Sequence, residues 1–228
     1  MVNPIMNAID DIPHPLTIHV DMLHSISIPA SKPNSKHLML VLHGLGDSAE
    51  GYRMFVEMLG IPGMNYLLVN APDHYFGGYS WYEYEGDAKP GVERSRKLLA
   101  ELLDQQREQG FASEHTFMFG FSQGCLMTLE TGTKYSHKLA GCVGVSGYSH
   151  DPDALLTNLS PVAKEQEFLI THGTHDPVVP FDRTEAQIKR FREAGLQMDW
   201  HVFPKVHTIM GEEVTLIREF VTQRMAES

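Results

Sequence analysis

The chain has 228 residues, of which 42% are hydrophobic and 21% are charged, with a formal net charge of −11. This length suits a single domain with one sizeable core. The negative charge argues against nucleic acid and anionic lipid as partners, because no lysine or arginine cluster offsets it. No stretch approaches the roughly 18 apolar residues of a membrane span, and no signal-peptide pattern is present. We therefore expect a cytoplasmic protein without a stable membrane anchor.

Short β-rich runs alternate with longer helical patterns from residue 37 onward, as in a parallel sheet wrapped by crossover helices. The predicted strands are HLMLVL, YLLVNA, TFMFGF, LAGCVGVS, EFLITH and QMDWHVFP. Residues 1–36 carry the alternating pieces LTIHV and HSISIP, which predict an N-terminal segment of edge strands. We predict one α/β domain over residues 1–228, with a mostly parallel central sheet and helices on both faces.

Three helices follow from the spacing of apolar residues. Residues 91–110 and 211–225 carry apolar side chains at spacings of three and four, which predicts amphipathic helices. A third helix is predicted over residues 182–195. Its start is assigned to Asp182 as the N-cap, because Glu185 lies three residues further on in a capping-box arrangement.

The connection over residues 71–91 is unusually long and is rich in aromatic residues and glycine. Long loops in compact domains are commonly functional, and this one is too aromatic for a solvated linker. We interpret it as the wall of a substrate pocket lined by Trp81 and Tyr82, with Val178 contributed by a later loop. The alternative is a purely structural cap. An apolar patch on this loop would also allow a homodimer.

The segment FMFGFSQGCLMTLE places Ser122 between two glycines, where a predicted strand gives way to a predicted helix. This context is the signature of the nucleophile elbow of the α/β-hydrolase fold. The turn is so tight that it leaves no room for a Cβ at positions 120 and 124, which are occupied by Gly120 and Gly124. It would present the Ser122 hydroxyl at the carboxyl end of the sheet, with the backbone N–H of Gln123 as an oxyanion donor.

A serine nucleophile needs an acid and a histidine, which follow it in that order in this fold. Asp176 is the predicted acid, because it lies in a loop directly after the strand EFLITH and precedes a proline. Asp182 is already explained by helix capping. Asp151 and Asp153 lie in a polar loop that we expect to face solvent.

Two histidines follow Asp176 in the sequence. His201 lies inside the predicted strand QMDWHVFP, where a histidine is commonly a half-exposed strand residue, whereas His207 lies in the loop after it. We therefore predict Ser122, Asp176 and His207 as the catalytic residues.

A second oxyanion donor is predicted in the loop after the strand HLMLVL. Residues 43–47 read His-Gly-Leu-Gly-Asp, and glycines would let the backbone N–H of Leu45 approach a tetrahedral intermediate. The alternative is a simple glycine-rich turn.

Neither the histidines nor the cysteines predict a metal or a disulfide. His172 and His175 flank the acid loop, but their spacing from Asp176 matches no zinc signature. Cys125 and Cys142 are expected to be buried free thiols.

The chain resembles the phospholipase/carboxylesterase family of α/β-hydrolases, which includes acyl-protein thioesterases. The matching segments are LHGLGD at 42–47, NAP at 70–72, SWYE at 80–83, GFSQG at 120–124, HGTHDPVVP at 172–180, and His207. The resemblance implies the same three catalytic residues, the same two oxyanion donors, and no metal or organic cofactor.

We expect a serine hydrolase that cleaves small-molecule carboxylic esters of small or medium acyl chains through an acyl-enzyme. The alternatives are an acyl-thioesterase, a lysophospholipase, or a ligand binder on a hydrolase scaffold.

Overall fold

The predicted parallel sheet is present in the computed structural model, which describes residues 23–227. Within that range the strands are β1 (Ser25–Ile28), β2 (His37–Leu42), β3 (Met64–Val69), β4 (Asp73–Tyr75), β5 (Gly78–Ser80), β6 (Thr116–Phe121), β7 (Gly141–Val145), β8 (Glu167–Gly173) and β9 (Gln197–Phe203). Seven of them form one sheet in the order β1-β3-β2-β6-β7-β8-β9. Only β1, at one edge, pairs antiparallel. This confirms an edge strand in HSISIP, whereas LTIHV lies outside the described residues.

Helices cover both faces of the sheet, as predicted. They are α1 (Arg53–Leu59), α2 (Lys89–Glu108), α3 (Gln123–Lys134), α4 (Pro152–Thr157), α5 (Phe181–Glu193) and α6 (Gly211–Glu227). Successive residues of β2 point to opposite faces. Leu40 packs in a core with Leu99 of α2 and Ile188 of α5, whereas Val41 packs in a second core with Ile217 of α6. The fold is therefore a three-layered α/β-hydrolase fold.

The start of α5 corrects the sequence prediction. Helix α5 begins at Phe181, and its N-cap is Pro180, so Asp182 is not the capping residue. Pro180 has an extended backbone that ends the preceding loop, which moves the helix start ahead of Asp182. Asp182 instead lies in the first turn of α5, where its negative charge interacts favourably with the positive end of the helix dipole.

The 71–91 connection is less irregular than predicted, because β4 and β5 pair within it as an antiparallel ribbon. Phe76 and Gly77 join them, and both have positive φ, as a type I′ turn requires.

Two further observations concern membrane-spanning helices and the cysteines. No helix within residues 23–227 has the length and apolar character needed to cross a membrane. Cys125 and Cys142 are buried and free, as predicted.

Candidate active site

Ser122 occupies a strained turn between β6 and α3. Its backbone has φ 55° and ψ −114°, a region that residues with a side chain rarely adopt. The Ser122 N–H donates to the Val145 carbonyl at 2.9 Å, and the Ser122 carbonyl accepts from the Leu126 N–H at 3.2 Å. The strand, turn and helix predicted for the nucleophile elbow are therefore all present.

The glycines on either side of Ser122 are required by close backbone contacts. A Cβ at position 120 would lie 2.0 Å from the Gly124 carbonyl oxygen, and one at position 124 would lie 2.3 Å from the Leu42 carbonyl oxygen. Both distances are far below van der Waals contact. The start of α3 is thus pressed against the carboxyl end of β2.

The structure brings the three predicted catalytic residues together from distant parts of the chain. His207 Nε2 lies 2.9 Å from Ser122 Oγ, and His207 Nδ1 lies 2.7 Å from Asp176 Oδ2. Both distances are within hydrogen-bonding range. The arrangement favours the tautomer in which Nδ1–H donates to Asp176 and Nε2 accepts from the Ser122 hydroxyl. His207 is therefore oriented to accept the serine proton.

Asp176 is held as an ionised acceptor. Its Oδ1 accepts the N–H groups of Val178 and Val179, each at 2.9 Å, while Oδ2 faces His207. Burial acts to raise the pKa of Asp176, but these hydrogen bonds outweigh it and hold the pKa below its ordinary value. A fixed negative charge thus lies behind the imidazole.

Leu45 and Gln123, the predicted oxyanion donors, line the same cavity as Ser122. Among the described residues, no carbonyl group accepts a hydrogen bond from either backbone N–H. Gly44 lets the 43–47 loop approach the turn, because a Cβ there would lie 3.1 Å from the Phe121 ring. Neither N–H group is therefore committed to a carbonyl group of the described residues.

The cavity has a volume of about 790 Å³. Such a volume suits a small-molecule ligand. Its lining includes two of the predicted pocket residues, Tyr82 and Val178, with Tyr75, Tyr148 and Arg183. The 71–91 connection therefore supplies part of the wall, as predicted.

Trp81 was also predicted to line the pocket, and this is wrong. Its side chain is fully buried, and the indole N–H donates to the His43 carbonyl at 2.9 Å. Both residues belong to the same buried core, but only Tyr82 also borders the cavity.

Two polar side chains that sequence reasoning missed hold the loops around Ser122. The Gln123 side chain is buried, accepting the Trp81 N–H at 3.0 Å and donating to the Tyr82 carbonyl at 3.1 Å. His43 Nε2 accepts the Ala71 N–H at 3.0 Å. Burial lowers the pKa of His43, which keeps the imidazole neutral in this role. The only sequence signal was the position of each residue next to a strand end.

The remaining candidates have other structural explanations. His201 lies within β9 and contacts Asp199 at 2.9 Å, and Asp151 caps α4 by accepting the Ala154 N–H. His172 is buried, with Nε2 3.0 Å from the Val179 carbonyl oxygen, so it supports the acid loop. Within residues 23–227, no cluster of three histidine, cysteine or acidic side chains could hold a metal ion.

The chain is similar to known proteins in both sequence and fold. The model of the Phospholipase/Carboxylesterase family matches residues 23–225. Acyl-protein thioesterase 1 of Schizosaccharomyces pombe is 32% identical over 66% of this chain and 73% of its own length. Acyl-protein thioesterase 1 homolog 2 of Dictyostelium discoideum is 31% identical over 73% of this chain and 82% of its own. The crystal structure of esterase PE8 is 25% identical, covers 89% of this chain and 99% of its own, and has a TM-score of 0.79.

Substituting Gly124 tests the steric argument at the elbow. Gly124→Ala should lower the free energy of unfolding by about 1–3 kcal/mol, because backbone rather than a flexible side chain blocks the added methyl group. Urea unfolding measures the change. Gly211→Ala is the matched control, since a Cβ there meets no atom within 4 Å. Equal stability of the two variants would contradict the argument.

Proposed function

Because the chain belongs to the phospholipase/carboxylesterase family of hydrolases, we propose that it cleaves carboxylic esters of small or medium acyl chains through a covalent acyl-enzyme. The observation that carries the proposal is the series of hydrogen bonds from Asp176 through His207 to Ser122. Ser122 is assigned as the nucleophile, His207 as the general base and Asp176 as the group that orients it.

The proposed reaction has two steps. Ser122 Oγ attacks the ester carbonyl while its proton passes to His207 Nε2, and the resulting oxyanion accepts the N–H groups of Leu45 and Gln123. His207 then protonates the departing alkoxide, which leaves an acyl-Ser122 ester. In the second step His207 takes a proton from water as the hydroxide attacks the acyl carbonyl, and it returns that proton to Ser122 Oγ as the acyl–Oγ bond breaks and the acid is released. The ionised Asp176 stabilises the imidazolium in both steps.

The cavity supports the proposed substrate size. Its lining mixes apolar and aromatic residues with polar and charged ones, including Glu83, His150 and Arg183. A long acyl chain requires a continuous apolar channel to leave water. This mixed lining favours a short acyl chain beside Ser122.

A second candidate is thioester hydrolysis, which the named thioesterase relatives at 31–32% identity support. The same three residues would act on a thioester, since only the leaving group differs. A lysophospholipid, the remaining alternative, also carries a carboxylic ester on which the same three residues would act.

Removing the nucleophile tests the catalytic assignment. Ser122→Ala should lower ester hydrolysis by about 10⁴- to 10⁶-fold and abolish labelling by a fluorophosphonate probe. Ser113→Ala is the matched control, because this buried serine lies at the opposite, amino-terminal end of β6. Full activity of Ser122→Ala, or a wild-type protein that neither turns over nor labels, would contradict the assignment and favour a ligand binder.

The pH profile tests the division of roles between His207 and Asp176. The base must be a neutral imidazole. On the acid side of the profile, the acid limb, kcat/KM should therefore fall tenfold for each unit by which the pH is lowered. The pKa of Asp176 is held below its ordinary value, so its carboxylate stays ionised along that limb and adds no second proton. The measurement is kcat/KM from about pH 5 to 9. A flat profile, or a limb with a slope of two, would contradict these roles.

The substrate proposal is tested by a chain-length series. Nitrophenyl esters of increasing chain length, a long-chain acyl thioester and a lysophospholipid are compared by kcat/KM with the purified protein. We expect the highest value for a short or medium ester, because the cavity lining mixes apolar side chains with polar and charged ones. A maximum on the long-chain thioester would replace the ester proposal with the second candidate.

A further inference from the structure

Two residues that flank His207 in the sequence, Lys205 and Glu213, form a buried ion pair. Lys205 Nζ is 2.6 Å from Glu213 Oε1, and the two side chains are 1% and 0% exposed. Neither residue lines the cavity that contains Ser122. The pair therefore encloses the loop that carries the proposed base without touching the space for substrate.

The Lys205 ammonium group uses all three of its donors inside the protein. Besides Glu213, it donates to the Thr208 carbonyl at 2.7 Å and to Ser146 Oγ at 3.1 Å. Thr208 directly follows His207, so Lys205 reaches across the histidine and holds the peptide after it. Ser146 directly follows β7, which anchors this contact to the carboxyl edge of the sheet.

Glu213 holds the far end of the same loop. Its Oε1 also accepts the Thr171 hydroxyl at 2.6 Å, and its Oε2 accepts the Met210 N–H at 2.8 Å. Thr171 belongs to β8. The carboxylate therefore joins the loop backbone at Met210 to a central strand.

The backbone of Lys205 also contacts the loop that carries Asp176. The Lys205 carbonyl accepts the His175 N–H at 3.1 Å. A Cβ at Gly173 would lie 2.3 Å from that carbonyl oxygen, so the two loops are in close contact. Lys205 thus contacts both the loop that carries the proposed acid and the loop that carries the proposed base.

Stability alone does not account for this pair. A buried lysine and glutamate lose hydration, and replacing such a pair with well-packed apolar residues is often neutral or stabilising. Burial acts to lower the pKa of Lys205, and Glu213 opposes that shift, as expected for an ammonium group that depends on its partner. What the pair supplies beyond packing is a fixed geometry for the backbone on both sides of His207.

We propose that Lys205 and Glu213 are positioning residues that fix the His207 imidazole relative to Ser122 and Asp176. This inference rests on the proposed function, since it concerns a residue assigned there as the base. Displacement of a catalytic group by about 1 Å can cost roughly 10²-fold in rate. Loss of the pair should therefore impair the chemical step while leaving the cavity unchanged.

The test is the double variant Lys205→Met/Glu213→Gln. Removing both charges avoids leaving one of them buried and unpaired, which would endanger folding. We expect kcat to fall roughly 10- to 100-fold with KM unchanged, at a temperature where circular dichroism shows the variant to be folded. The rate constant for fluorophosphonate labelling should fall in parallel, because that reaction also needs the base.

The matched control is Lys134→Met/Glu130→Gln, which removes the i,i+4 lysine–glutamate pair near the end of α3. Ser122 lies at the opposite end of that helix, so kcat should match the wild type. A folded Lys205→Met/Glu213→Gln protein with wild-type kcat, or one that changes only KM, would overturn the proposal.

A milder variant covers the case in which the double variant does not fold. Thr171→Val removes one hydrogen bond to Glu213, keeps both charges and preserves the side-chain shape. A several-fold lower kcat with unchanged KM would support positioning, and an unchanged kcat would overturn it. An inactive wild-type protein would instead refute the proposed function, so the two failures are distinguishable.

Discussion

The close approach of α3 to the carboxyl end of β2 is the constraint on which the site depends. At Gly124 the two backbones meet at a distance that excludes any side chain, since a Cβ would lie 2.3 Å from the Leu42 carbonyl oxygen. Ser122, two residues before this contact, has a strained backbone conformation, and the loop after β2 lines the same cavity as the turn. The proposed nucleophile and the two proposed oxyanion donors thus lie next to one packing contact.

The parallel sheet explains why residues so far apart in sequence meet. Strands β2, β6, β8 and β9 end at the same edge, and the loops that leave it carry Leu45, Ser122, Asp176 and His207. Ser122 and His207 are 85 residues apart in the sequence. They meet because Ser122 follows β6 and His207 follows β9, and both strands end at the same edge of the sheet. The candidate site in this fold is therefore assembled from strand ends, while the strands and the helices together form the core.

Local patterns predicted the features that depend on local physics. Strands β2 and β6 have the bounds expected from their apolar runs, and the elbow glycines follow from sterics within five residues. Long-range packing decided what the sequence could not reveal. Trp81 and Tyr82 are adjacent aromatic residues, and only the fold determines which faces the cavity. The pairing of Lys205 with Glu213 produces no periodic pattern in the sequence, because this buried contact depends on the conformation of the loop between them.

The three proposed catalytic groups are held by different means, and they differ in how readily substitution could disturb them. Ser122 is placed by backbone strain, and Asp176 by two backbone N–H groups, so most side-chain changes leave their supports intact. His207 lies on a loop whose backbone is held at Thr208 and Met210 by the side chains of Lys205 and Glu213. Side-chain contacts are lost through a single substitution, whereas backbone contacts persist while the fold persists. The position of the base is therefore the most alterable part of the site.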